Sequence, residues 1–193
     1  MLLKNSSILL ILLIQISSFS QNTKVCNLRK SKNNVINAID AKDLGCLAKN
    51  TKKDKVIVFT FGLWCSPCIA HLDNAISLKE NFNVDFYVLL VDNENKKDLI
   101  KKTIEFLRKK KKDINIVILK DEYGKRRNQK YKKFLKEMTP DNFKNIDGMS
   151  KYIVYNNEGE VIMVTTYKDR EGDDWRDDSS VIKNKVIPLL KKQ

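Results

Sequence analysis

At 193 residues, 42% of them hydrophobic, the chain is long enough for one domain with a substantial core. Its 37 Lys and Arg against 24 Asp and Glu leave a formal charge of +13, which favours anionic partners. The lysines nevertheless lie on the polar faces of amphipathic helical patterns, which argues against nucleic acid; an anionic membrane surface or an acidic partner stays open.

Lys4, the apolar run from Ile8 to Ile16, and Ser18-Phe19-Ser20 before Gln21 have the layout of a secretory signal. Residues 1–20 are therefore expected to be cleaved on export to the periplasm or the exterior. The run is shorter than the roughly 20 apolar residues that cross a bilayer, and an uncleaved anchor is the alternative. No later segment is long and apolar enough to span. Residues 21–55 read as a partly helical N-terminal extension, with Val35, Ile36, Ile39, Leu44 and Leu47 at helical spacing.

From residue 56 the pattern alternates. A strand at 56–61 leads into a helix at 67–81 that buries Ile69, Leu72 and Ile76. The run 86–91 is apolar throughout, as in a strand covered on both faces. A helix at 96–111 carries Ile100, Ile104 and Leu107 on one side, and a strand follows at 114–119. The next helix buries Tyr131, Phe134, Leu135 and Met138 within the basic segment 125–136. Strands at 152–155 and 161–166 are joined by Asn156-Asn157-Glu158-Gly159, a set of turn formers. A last helix at 181–190 has Ser179 or Ser180 as its cap, and Pro188 should bend or end it early. Strands alternating with helices imply an α/β domain with a central mixed sheet covered on both faces.

The stretch Trp64-Cys65-Ser66-Pro67-Cys68 sits where the first strand hands over to a helix. A sulfur at a helix start faces unpaired backbone N–H groups and the positive end of the helix dipole, which stabilises its thiolate. In Cys-x-x-Cys motifs that lowers the pKa from about 8.5 to roughly 3.5–7.5, and the thiolate is the attacking species. Cys68 lies nearly one turn on and can close a disulfide with Cys65, while Pro67 fits the first turn. A zinc site and a permanent staple are the competing readings. Zinc would need two further ligands, and Cys26 and Cys46 do not form a second Cys-x-x-Cys.

At these residues the chain resembles the thioredoxin superfamily, most closely the exported TlpA/ResA-like thiol–disulfide oxidoreductases. The match carries the WCxPC stretch, the strand before it and the order of elements through the 156–159 hairpin and the final helix. The resemblance implies a thioredoxin-like three-layer α/β/α fold over 56–193. It makes Cys65 the exposed nucleophile, Cys68 the resolving thiol and Trp64 a contact to the substrate. It further implies protein thiols or disulfides as substrates, a membrane-bound thiol reductant as electron donor, action as a monomer, reduction as the favoured direction, and no metal or organic cofactor.

Three positions depart from the family pattern. Where the family places a cis-proline before the hairpin, facing the disulfide, this chain has Met149 in IDGMSKYIVY. A cis bond before a non-proline costs about 2.5–4 kcal/mol, so Gly148-Met149 is either trans or held strained by its surroundings. His71 replaces an acidic residue three positions after Cys68 and is a candidate proton shuttle, against a lone histidine on the helix surface. Asp73 replaces a proline that usually kinks the helix.

Cys26 and Cys46 form a candidate structural disulfide in oxidising surroundings, or remain two separate buried thiols. The acidic stretch at 169–178 reads as a solvated loop. Two rival functions keep the fold. One is a Cu(I)-binding module using Cys65, Cys68 and Met149 or His71 as soft ligands; the other is a redox-idle adaptor.

Overall fold

Strand β3 (Lys55–Phe61) shows why the domain has two cores. Successive side chains of a strand point to opposite faces, so Ile57, Phe59 and Phe61 enter one apolar cluster while Val56 and Val58 enter another. The computed structural model describes residues 26–191; the leader expected at 1–20 lies outside the described residues.

Around β3 the chain builds β1 (Arg29–Lys30), β2 (Asn37–Ile39) and α1 (Ala41–Lys49) before it, and α2 (Ser66–Asn81) and β4 (Val84–Leu90) after it. There follow α3 (Lys97–Lys110), β5 (Asn115–Leu119), α4 (Arg127–Met138), β6 (Tyr152–Tyr155) and β7 (Val161–Val164). The seven strands form one mixed sheet in the order β1-β2-β5-β4-β3-β6-β7. Strands β2, β5, β4 and β3 run parallel, and β6 and β7 add antiparallel on the other side of β3. Cys68, Leu72 and Ile76 of α2, with Ile100 and Leu107 of α3, cover one face; Leu44 of α1 and Tyr131, Phe134 and Met138 of α4 cover the other. This is the three-layer α/β/α arrangement with a central mixed sheet.

Several expectations change at the ends. Among the described residues of the N-terminal segment only 41–49 are helical: Ile39 belongs to β2, which pairs in parallel with β5, and Ile36 is buried just before it. Helix α1 starts after Asp40, whose Oδ1 accepts from the Asp43 N–H while Asp43 Oδ2 accepts from the Asp40 N–H. This reciprocal cap stops the helical pattern from extending upstream. Strand β7 ends at Val164, because Thr166 caps a short 3-10 turn at Tyr167–Asp169.

The C-terminal helical segment, α5 at 179–190, is capped by neither serine. Its N-cap is Asp178, whose carboxylate is turned inward. Pro188 does not end the segment: a wide π turn at Ile182–Val186 precedes it and the helix resumes at Ile187–Leu190. Helix α2 runs unbroken past Asp73, which pairs with Lys110 at the surface.

Cys26 and Cys46 are joined by a disulfide that ties the segment before β1 to α1. They are 20 residues apart, and closing a loop of that order destabilises the unfolded chain by about 3 kcal/mol. The double variant C26S/C46S is expected to melt about 6–12 °C below the wild type. Calorimetry showing no change would remove this disulfide from the fold's stability.

Candidate active site

The strand β3 delivers the chain to the start of α2 through Gly62, Leu63 and Trp64. Gly62 gives the Trp64 indole room to fold back: a Cβ on it would stand 2.6 Å from the ring, so any other residue would displace the indole. Trp64 lies folded back on that glycine and remains 39% exposed. Its Nε1 donates to Asp92 Oδ1 at 2.9 Å, and the Arg127 guanidinium sits 3.5 Å from the ring centroid on α4. Asp92 is buried, which pushes its carboxyl up, and the Trp64 hydrogen bond and the charges of Arg127 and Lys130 oppose that rise.

Cys65 is the N-cap of α2. Its Sγ accepts from the Cys68 N–H at 3.2 Å, and the two sulfurs are bonded to each other. Cys65 was expected to be exposed, yet only 6% of its surface is open and none of Cys68 is, because both belong to the core beneath α2 with Leu63 and Met149 packed against it. The opening that exists therefore lies at Cys65.

The residues 148–150 face α2 from the hairpin side. All peptide bonds among the described residues are trans, Gly148-Met149 included, and the loop turns instead through positive φ at Gly148 (143°) and Ser150 (64°). A non-glycine residue in that region is strained and must be held by its surroundings. The holding groups come from both layers. Tyr131 Oη of α4 donates to Gly148 O at 2.9 Å, and Ser150 Oγ lies 2.7 Å from His71 Nδ1 of α2. Met149 packs its half-buried side chain between the two cores.

His71 is not a surface histidine. It is 6% exposed, and its Nε2 lies 2.9 Å from the Trp175 carbonyl, which can only accept, so Nε2 carries a proton. With neutral imidazole, Nδ1 then accepts from the Ser150 hydroxyl. The neighbouring Asp178 belongs to the stretch expected as a solvated loop, but it is buried. Its Oδ2 accepts from Tyr152 Oη at 2.5 Å, its Oδ1 accepts from Asn74 Nδ2 at 2.7 Å, and it stands 3.7 Å from His71 Nδ1. These bonds join α2, the 148–150 loop, β6 and the start of α5. No local sequence signal marks them, since the partners of His71 and Asn74 are 79 to 104 residues away.

Among the described residues, no group of three or more His, Cys, Asp or Glu side chains converges as a metal site. Both ring nitrogens of His71 are taken by protein partners, the Ser150 hydroxyl and the Trp175 carbonyl. The basic segment of α4 also departs from a uniformly solvated face: Lys130 is fully buried, donating to Asp92 O and to Asp121 Oδ1 at 2.8 and 2.9 Å. Its ammonium is paired and hydrogen-bonded, which is what burial of a charge demands.

The sheet order, the two covering layers and the cysteine pair at the start of α2 define a thioredoxin-like domain. The Redoxin family model matches residues 40–184, and the chain belongs to that family. Among solved structures, the chain is similar to one from Bacteroides vulgatus assigned as a thiol-disulfide oxidoreductase, with 18% identity and a TM-score of 0.38 over 60% of this chain and 64% of that one. It thus spans less than two thirds of that structure's length. StoA from Bacillus subtilis is 17% identical with a TM-score of 0.36, over 60% of this chain and 75% of that one. No curated protein matches the sequence.

One further residue beside the loop escapes the sequence reading. Lys151 is 2% exposed, and its Nζ donates to the Thr165 carbonyl at 3.0 Å with no carboxylate within pairing distance. Burial pushes its ammonium down to about 8, against the pull of Asp169 and Asp147. Between pH 8 and the unfolded value of 10.5 the folded chain therefore binds fewer protons than the unfolded chain. Keeping the buried amine charged below pH 8 costs stability, and the cost fades as pH rises through that window. Lys151→Met is expected to be more stable than the wild type at pH 7 by about 3 kcal/mol, with the difference shrinking toward pH 10.5. Urea titrations across that range check it, and a difference independent of pH would contradict it.

Proposed function

We propose that the chain is an exported thiol–disulfide oxidoreductase that reduces disulfides in protein substrates with the Cys65/Cys68 pair. The observation that carries this reading is the Cys65 Sγ capping α2 while bonded to Cys68. Membership of the Redoxin family supports the chemistry. The signal-like pattern at 1–20 and the second disulfide, Cys26–Cys46, support export, because disulfides persist in oxidising compartments.

In the reduced protein the Cys65 thiolate attacks one sulfur of a substrate disulfide. A Cys65–substrate disulfide forms, and the other substrate sulfur leaves as a thiolate that takes up a proton. Cys68, deprotonated as it attacks, then displaces the substrate's remaining sulfur and closes the 65–68 bond. Two electrons pass from the pair to the substrate. An external dithiol, membrane-bound in the family pattern, returns them by the same exchange in reverse. Trp64 and Met149 border the route to Cys65, and we assign them to substrate contact. His71 acts here by holding Ser150 and so the loop that carries Met149, rather than by moving a proton to Cys68.

The test is insulin reduction by the mature protein, with its redox equilibrium measured in glutathione buffers. Cys65→Ser is expected to abolish turnover, a loss of at least about 1,000-fold, whereas Cys68→Ser should accumulate a mixed disulfide on Cys65. Full activity in the Cys65→Ser variant would overturn the assignment. Stoichiometric copper uptake without turnover would favour the metal-binding module, and a pair that no glutathione buffer reduces would favour the idle adaptor.

A further inference from the structure

Helix α1 carries Lys42, Cys46 and Lys49 at i, i+4 and i+7, a spacing that puts all three on one face. That face borders a cavity of about 660 Å³, closed by Glu137 and Met138 of α4 and by Tyr155 and Val161 of the β6–β7 hairpin. The cavity is remote from Cys65 and Cys68. Tyr155 pairs with Val56 at the start of β3, whereas Cys65 follows its end. At about 3.3 Å per residue that strand separates the two places by on the order of 20 Å.

The Cys26–Cys46 disulfide is the more open of the two. Both of its cysteines are half-buried, against 6% exposure for Cys65 and none for Cys68. Of this pair Cys46 lines the cavity and Cys26 does not, so an attacker seated there meets Cys46 Sγ, with Cys26 as the leaving group. Asn50, at the C-cap of α1, donates from Nδ2 to the Cys46 carbonyl at 2.9 Å. The same amide nitrogen stands 3.4 Å from Cys26 Sγ and 3.6 Å from Cys46 Sγ. A donor beside the departing sulfur and lysines nearby both stabilise thiolate, and a better leaving thiolate exchanges faster.

The walls define the chemistry of the ligand. Lys42 and Lys49 are exposed cations, and Glu137, the one acid among the lining residues, interacts with the Tyr123 hydroxyl. Tyr155 is 2% exposed and its hydroxyl has no hydrogen-bond partner, which favours a ligand that brings an acceptor. The volume falls within the roughly 300–1,000 Å³ of small-molecule sites.

We infer that this cavity is a second thiol–disulfide exchange site, taking a low-molecular-weight anionic thiol of glutathione size whose carboxylates meet Lys42 and Lys49 and whose sulfur attacks Cys46. The incoming thiolate forms a bond to Cys46 Sγ, the Cys26–Cys46 bond breaks, and its electron pair leaves on Cys26, which then takes up a proton. Cys46 is left in a mixed disulfide, and the tether between α1 and the segment before β1 is open. Attack of the Cys26 thiolate on Cys46 Sγ expels the small thiol and restores the bond, so the cycle needs no other oxidant. Neither Cys65 nor Cys68 takes part, and the inference does not rest on the oxidoreductase reading.

The experiment treats the mature protein with excess reduced glutathione, quenches with iodoacetamide and locates the adduct by peptide mass spectrometry. Glutathione diethyl ester, the same thiol with its carboxylates capped, is the comparison. The adduct is expected on Cys46 and not on Cys26, and glutathione should form it roughly tenfold faster than the ester at equal thiolate concentration. Because reclosure by Cys26 can outrun the quench, the Cys26→Ser protein is read as well. Its free Cys46 forms the same mixed disulfide from oxidised glutathione, with the same preference expected over the oxidised ester. The double variant Lys42→Gln/Lys49→Gln, at two exposed positions, should bring the ratio down toward one. Equal rates for the charged and capped reagents, an adduct confined to Cys26, or a preference that survives both lysine substitutions would overturn the inference.

Discussion

A sulfur that caps a helix is the constraint from which the rest of this domain follows. The first N–H groups of α2 have no partners within the helix, and Cys65 Sγ satisfies the one that belongs to Cys68. Placing it there requires β3 to end at the same edge of the sheet where α2 begins. It also requires Gly62 to leave room for the returning indole of Trp64. Strand β3, hydrogen-bonded to β4 on one side and β6 on the other, is held from both directions, so the helix start it carries is fixed in space.

The second constraint is the loop opposite. Without a proline at position 149 the backbone reaches the disulfide through two residues at positive φ, and a serine in that region does not stay there unaided. The chain supports it with tertiary hydrogen bonds from two layers, Tyr131 from α4 and His71 from α2. His71 is in turn fixed by the backbone of Trp175, and Asp178 ties the start of α5 to Tyr152 and Asn74. The polar cluster therefore substitutes long-range hydrogen bonds for what a local ring constraint does elsewhere in the superfamily. Because every member is paired, it can be buried without the cost of an orphaned group.

What could be read in the sequence was local in origin. The alternation of strands and helices from residue 55 onward, the hairpin at Asn156 and the cysteine pair at a helix start all arise from periodicity and spacing within a few residues. The short strands β1 and β2 were hidden because two or three residues carry no period, and Ile36 and Ile39 fit a helical spacing as well as a strand. The inward turn of Asp178, the burial of Lys130 and Lys151 and the near covering of Cys65 depend on residues far away in the chain. Asp178 sits among charges that suggest solvent, and only the hydroxyl of Tyr152 and the amide of Asn74, brought up by the fold, make its burial affordable. His71 stands out in the sequence by its place three residues after Cys68, but its partners, Ser150 and the Trp175 carbonyl, are brought to it only by the fold.

The central claim is that the helix start stabilises the Cys65 thiolate once the pair is reduced. The rate of Cys65 alkylation by iodoacetamide as a function of pH, followed in a Cys68→Ser background with Cys26–Cys46 intact, reads this directly. The account predicts a midpoint at least about one pH unit below the value of roughly 8.5 for an ordinary thiol. A midpoint at or above 8.5 would mean that burial of Cys65 outweighs the helix, and would contradict it.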